Sequence, residues 1–132
     1  VKILGLDGKV KKLSLHGSRV SSNDARIRST YHLAARQLIK ELFSDFVGEE
    51  VFIPGEGFYF DFFLPTRRMV VEVHGEQHYK FTPFFHKTKL DFVKQKKTDK
   101  LKGEFCRLNG FTYIELPYTE TIEQWTARLL NY

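Results

Sequence analysis

Residues 58–78, FYFDFFLPTRRMVVEVHGEQH, constrain the fold more than any other stretch of this chain. They read as two hydrophobic strands joined by Pro65-Thr66-Arg67-Arg68, with acids where a sheet normally keeps apolar side chains. If Leu64 pairs with Met69 across the turn, Asp61 lies directly opposite Glu72. Cross-strand neighbours sit roughly 4.5–5.5 Å apart at Cβ, and like charges placed there repel. Burial adds to the cost, or keeps one acid protonated. A divalent cation removes the conflict. His74 follows Glu72 by two residues and faces the same way, because strand side chains alternate. The pattern points to a metal site on a sheet face. Two bland arrangements compete with it. An antiparallel hairpin with one wet face carries acids at no cost, although residues 58–64 are apolar or aromatic apart from Asp61. A permanent Lys or Arg partner for the pair also removes the need for a metal.

The remaining totals fit this core. The chain has 132 residues, 42% hydrophobic and 15% aromatic, enough for one domain with a sizeable interior. No apolar run approaches the roughly 20 residues of a membrane span, and no signal-peptide pattern opens the sequence. A single cysteine, Cys106, excludes an internal disulfide framework and a Cys-rich zinc site, and is consistent with a cytoplasmic setting. Beginning at Val1, the chain reads as a processed product or a piece of a longer one.

The net charge of +5 is unevenly spread. Residues 80–102 carry a net +6 and residues 1–28 a net +5, whereas residues 29–79 are acidic. Charge runs are usually solvated faces. Here a polyanion with a metal at its reacting bond accounts for both the basic flanks and the acidic centre.

In chain order, short strands are expected over 2–6 and 9–15 around Asp7-Gly8, a strong hairpin dipeptide. They form a basic appendage with its linker (residues 1–22), either gripping nucleic acid or lying as a surface ribbon; the main domain is 23–132. A first helix follows, with Ser22, Asn23 or Ser29 as N-cap. Tyr31, Ala34, Ala35, Leu38, Ile39, Leu42 and Phe43 make its apolar stripe, and Arg36 and Glu41 face solvent. Residues 51–53 are a short strand, and Pro54-Gly55-Glu56-Gly57 turns into the central hairpin. Residues 79–89 form an aromatic and basic loop. A second helix covers 90–108, with Leu90, Val93, Leu101, Phe105 and Leu108 on one stripe and Lys97 pointing toward the sheet. Asn109-Gly110 ends it. A strand over 111–116 and a helix over 122–130 containing Trp125 complete the chain. The order helix, three strands, helix, strand, helix implies a mixed α/β sheet, its last strand parallel to a member of the first hairpin sheet.

Asp61-Phe62-Phe63-Leu64-Pro65, the run from Val70 to His78, then Asp99, Lys102, Cys106 and Gly110-Phe111-Thr112-Tyr113-Ile114 together resemble the PD-(D/E)XK nucleases. More narrowly, they are similar to the branch holding the very-short-patch mismatch repair endonucleases and phage-type homing endonucleases. The resemblance spans about residues 30–118 and implies a restriction-endonuclease-like fold. It also implies that Asp61 and Glu72 bind Mg²⁺ or Mn²⁺ with the Val73 carbonyl. His74 falls at the lysine position of the family motif, and His78 and Asp99 fall where the branch keeps an active-site histidine and an acid. The first-helix glutamate of many relatives aligns with Ala35, for which Glu41 is a poor substitute.

Phosphodiester hydrolysis needs an activated water, charge relief and protonation of the leaving oxygen. Asp61, Glu72 and the Val73 carbonyl form a hard-oxygen set suited to magnesium. His74 or His78 serves the proton transfers, with Asp99 fixing a tautomer or pairing along its helix with Lys96 or Lys102. Lys80, Lys87, Lys89, Lys94, Lys96, Lys97, Lys100 and Lys102 are the residues expected on phosphates, Lys97 also reaching the site. The leading expectation is a metal-dependent DNA endonuclease of a bacterial or phage-infected cell, with a homodimer compatible. The alternative is a nucleic-acid-binding module on a catalytically impaired nuclease scaffold. A zinc site on His74, His78 and His86 ranks below both.

Overall fold

A computed structural model describes residues 1–13, 29–83 and 86–131. The central hairpin forms as its turn dictates. Strand β4 (Phe58–Leu64) pairs antiparallel with β5 (Met69–His74) in the register Leu64↔Met69, Phe63↔Val70, Phe62↔Val71. Between them Pro65–Arg67 makes one 3₁₀ turn, closed by Arg68 in the left-handed region at φ 49°. Strand β3 (Gly48–Ile53) adds antiparallel to β4, and β6 (Thr112–Pro117) adds parallel to β5, giving the order β3-β4-β5-β6. The parallel edge requires a crossover, which is helix α2 (Lys89–Leu108). Helices α1 (Thr30–Leu42) and α3 (Ile122–Leu130) pack on the opposite face. The fold is therefore mixed α/β, with a four-stranded mixed sheet between helices. Among the described residues no helix is long and apolar enough to cross a membrane.

Local chemistry sets the helix limits. Ser29 caps α1 by accepting from the His32 N–H; Ser22 and Asn23, the other two candidates, lie outside the described residues. Thr88 with Asp91, and Thr121 with Gln124, form reciprocal capping boxes that start α2 and α3. Gly110 at φ 68° ends α2, a conformation open to glycine without steric cost.

Two cores result. Ala35, Leu38 and Ile39 of α1 and Trp125 and Leu129 of α3 pack on Phe62, Leu64, Met69, Val71 and Ile114. Phe105 and Cys106 of α2 pack with Phe58, Phe60, Phe63, Val51 and Ile53 on the other side. Ile3 of β1 (Lys2–Leu4) and Leu13, the residue after β2 (Val10–Lys12), bring the hairpin formed by these strands into this second core. Asn109 ties that hairpin down, its side chain bonding both the N–H (2.6 Å) and the carbonyl (2.9 Å) of Leu4. The strands are shorter than expected because the turn runs from Gly5 to Lys9. Residues 14–23, which hold the expected linker, lie outside the described residues.

Strict alternation puts Phe58, Phe60, Phe62 and Leu64 on one face. Instead, Phe58 and Phe60 lie with α2 while Phe62 and Leu64 lie with α1 and α3. The change falls at Asp61. Strand β3 turns over in step: Val51 and Ile53 lie on the α2 side, whereas Glu49 reaches Arg36 and His32 of α1. The pairing is unbroken on both sides of this point, with Val51↔Phe60 and Glu49↔Phe62. Glu50, between them, adopts φ 51°, an uncommon conformation for a residue with a Cβ.

Several expectations need correction. Arg36 is buried rather than solvent-facing, bonding Glu49 Oε1 through Nη2 at 2.7 Å and Nε at 3.2 Å while His32 Nε2 approaches the same oxygen at 2.6 Å. Hydrophobic periodicity cannot register a basic side chain recruited inward by a buried acid. Arg36→Met is expected to destabilise the protein by about 3–5 kcal/mol, because it leaves buried negative charge uncompensated; urea denaturation measures it, and Arg36→Met/Glu49→Gln should recover much of the loss. The α2 stripe is the second correction: Leu90, Val93 and Leu108 are exposed, and burial on α2 is confined to Phe105 and Cys106. Lys97 is exposed and does not reach the sheet. Tyr31 of the α1 stripe is also exposed, at the helix start.

Candidate active site

The β4–β5 ladder ends at Phe62↔Val71, and side chains take over where it stops. The Asp61 N–H donates to Glu72 Oε2 (2.6 Å), and the Val73 N–H donates to Asp61 Oδ2 (2.8 Å). Each acid thus binds the main chain of the opposite strand, which brings the two carboxylates together as the register demanded. Glu72 is 1% exposed. Burial and the neighbouring Asp61 charge push its carboxyl up to about 8, against the opposing pull of Lys102 and of the Asp61 N–H. Asp61 is half-buried and lines an open groove of about 480 Å³ with Glu50, Gly57, Phe58, Tyr59, Thr98 and Lys102.

Lys102 corrects another expectation. Its ammonium is not free on the surface for phosphate but lies 2.5 Å from Glu72 Oε1, with 13% of the side chain exposed. It stands three residues before Phe105 and four before Cys106, the two buried positions of α2. Helical spacing from those two residues selects Lys102, whereas the stripe drawn from Leu90 and Val93 favoured Lys97.

His74, 2% exposed, lies two residues beyond Glu72. Its Nδ1 is 3.2 Å from Glu115 Oε2 on β6, and that bond holds the Glu115 carboxyl below its ordinary value. The ring stacks on His78, centroids 4.1 Å apart and planes 5° from parallel. His78 ends a 3₁₀ turn (Glu76–His78), and its Nδ1 lies 2.9 Å from Asp99 Oδ2 of α2. Asp99 therefore pairs with a histidine, as the tautomer-fixing role requires, rather than along its own helix with Lys96 or Lys102. His74 Nε2 and Asp99 Oδ1 are buried without a hydrogen-bond partner, as is the Tyr113 hydroxyl, whose acidity burial and Glu72 suppress further. Cys106 lies in the same region. Its thiol is pushed up to about 12, by burial first and then by Glu72.

His86 is not part of this group. It is buried in a separate aromatic pocket, where Nδ1 accepts from the Thr82 N–H (3.0 Å) and the ring stacks on Phe81. Lys87, Lys89, Lys94, Lys96, Lys97 and Lys100 are all exposed. Lys80, also exposed, pairs with Glu76 at 2.8 Å. Three residues of the site were not expected from the sequence. Glu115 and Tyr113 follow from alternation along β6 once Ile114 and Leu116 are placed in the α1/α3 core. Nothing in the sequence marks Glu50, because its position depends on the face change.

No family model matches the chain, and no solved structure matches it. Proteins that do match it are viral. Uncharacterised protein 307L of Invertebrate iridescent virus 6 is 48% identical over 59 residues, 45% of this chain and 30% of that protein. Uncharacterised protein 033L of Invertebrate iridescent virus 3 is 43% identical over 67 residues, 51% of this chain and 34% of that protein. Uncharacterised protein 094L of Frog virus 3 is 32% identical over 78 residues, 58% of this chain and 50% of that protein. The matching stretch thus spans from about a third to half of the length of these relatives.

Proposed function

We propose that this chain is a metal-dependent DNA endonuclease on a restriction-endonuclease-like scaffold, hydrolysing phosphodiester bonds. The observation that carries the reading is the interlocked pair Asp61–Glu72, held at the end of a splayed ladder beside an open groove. Burial and the second acid, Asp61, raise the Glu72 carboxyl even with Lys102 beside it, so one lysine does not offset the pair. The donors are hard oxygens, which fit Mg²⁺ or Mn²⁺, and Asp61, Glu72 and the Val73 carbonyl would hold the ion. Bound there, the ion would relieve phosphate charge and acidify an attacking water.

The other residues have definable tasks. His74, at the lysine position of the motif, carries charge only when protonated. Lys102 supplies permanent positive charge at Glu72 in its place. Asp99 fixes His78 at Nδ1, leaving Nε2 to take or give a proton at the reacting oxygens. The exposed Lys94, Lys96, Lys97 and Lys100 of α2 bind phosphates through long-range attraction. Replacing Lys96, Lys97 and Lys100 by Gln should weaken DNA binding similarly for all sequences and reduce the salt slope by about 0.9 for each phosphate no longer neutralised. Binding isotherms at several salt concentrations measure this.

The Lys102–Glu72 pair also favours the second reading, a nucleic-acid-binding module on an impaired scaffold, because a lysine that stays on Glu72 leaves no room for a cation. One panel separates the two: single-stranded, duplex, mismatched and branched DNA and RNA, with and without Mg²⁺ or Mn²⁺. Cleavage that needs metal supports the endonuclease. Salt-sensitive binding with no cleavage of any substrate supports the module.

A further inference from the structure

We infer that His74, His78 and Asp99 form a second cation site, selective for a transition-metal dication of the Zn²⁺ or Co²⁺ class. Its ligand set is distinct from the hard-oxygen pair Asp61–Glu72, and it does not depend on the nuclease reading. Each of the three residues offers a ligand atom, and these atoms lie within 4.8 Å of one another. Ligands on a tetrahedral zinc, at about 2.0–2.2 Å from the metal, stand about 3.4 Å apart. His78 Nδ1 and Asp99 Oδ2, 2.9 Å apart, are already near that separation. His74 closes the remainder by rotating its ring.

Two features of the group point to a bound ligand rather than to a finished hydrogen-bond network. The first is the pair of buried atoms with nothing to bind, His74 Nε2 and Asp99 Oδ1. Buried polar atoms are nearly always satisfied, so an acceptor nitrogen and a carboxylate oxygen left bare in one cluster call for a cation or a donor. The second is the carboxylate at His74. Glu115 accepts from the His74 Nδ1–H, which leaves the Nε2 lone pair free for a ligand. Carboxylates orient metal-binding imidazoles in this way from the outer shell.

Ligand type sets the selectivity. Two imidazoles and one carboxylate suit zinc and its neighbours, whereas magnesium prefers oxygen ligands and retains its waters. Entry of the ion displaces the proton between His78 Nδ1 and Asp99, and the neutral imidazole then carries its one proton on Nε2. Three protein ligands leave the fourth position to water, as in sites where zinc remains open to exchange. His86, which the sequence made the third member of a histidine site, has no place in this group, and Asp99 stands in its stead.

The test reads metal binding directly and needs no cleavage assay. Metal-stripped full chain is titrated with Co²⁺ by visible absorption and with Zn²⁺ by calorimetry. In parallel, imidazole NMR resonances of the wild type are followed, so that no conclusion hangs on a variant's folding. Expected are one equivalent of metal, a tetrahedral Co²⁺ band, and shifts of His74 and His78 but not of His32 or His86. His78→Asn and Asp99→Asn should each weaken binding at least tenfold, whereas Asp61→Asn should leave it within about twofold. Absence of stoichiometric binding, shifts confined to other histidines, or loss of binding in Asp61→Asn alone each overturn the site. If the site binds metal while no nucleic acid is cut, the endonuclease reading fails and this one stands.

Discussion

Asp61→Asn is expected to lower Mg²⁺-dependent cleavage by about 10³-fold or more while leaving the protein at least as stable as the wild type. The two halves of this expectation come from different contacts. Asparagine keeps the shape of aspartate and an oxygen for the Val73 N–H, so the splay between β4 and β5 survives. It removes the negative charge that helps drive the Glu72 carboxyl upward, which relieves a repulsion present without metal. In the proposed metal complex the same charge would anchor the ion, and a metal ion typically stabilises such a transition state by several kcal/mol. Each 1.36 kcal/mol is about tenfold in rate. Cleavage rates and thermal melts of the two proteins provide the check. A variant that cuts as fast as the wild type removes Asp61 from the chemistry and the endonuclease proposal with it.

The metal-free protein should lose stability as pH rises from about 4.5 to about 8, and Glu72→Gln should remove much of that slope. The sign follows from proton counting. Unfolded, Glu72 titrates near 4.5; folded, its carboxyl is pushed up to about 8 by burial and by Asp61. Across that window the native state holds more protons than the unfolded state, so stability falls with rising pH, then levels off. At about 1.36 kcal/mol per unit, the single-site contribution is bounded at a few kcal/mol. Lys102 works against the shift, so Lys102→Met extends the window upward, whereas Asp61→Asn narrows it. Chemical denaturation of wild type and Glu72→Gln at pH 5, 6.5 and 8 isolates the residue, since other titrating groups are common to both. Identical slopes would falsify the assignment of the buried proton to Glu72.

These effects trace to what short-range pattern does and does not encode. The turn after Leu64 sets a register, and the register delivered the meeting of Asp61 with Glu72. An apolar stripe and a serine cap placed α1, Asn109-Gly110 marked the end of α2, and the length of the α2 crossover implied the parallel edge. Alternation failed at one point, where β3 and β4 turn over together at Glu50 and Asp61. That event goes with the bonds of Glu49 to Arg36 and His32 of α1, partners 13 and 17 residues away in sequence. The same kind of distant pairing hid Lys102, because a lysine on a basic helix has the composition of a solvated face until its acid is located. Leu90 and Val93 erred the other way: they continue an apolar stripe over positions that stay exposed.

The deeply held thiol of Cys106 gives the molecule a built-in clock. Four residues from Lys102 on α2, it is expected to resist alkylating reagents while the helix stays seated. Its modification rate in the native protein therefore times the lifting of α2 from the sheet. Any ion or strand that pins the helix down will slow that clock, without a label having to be introduced.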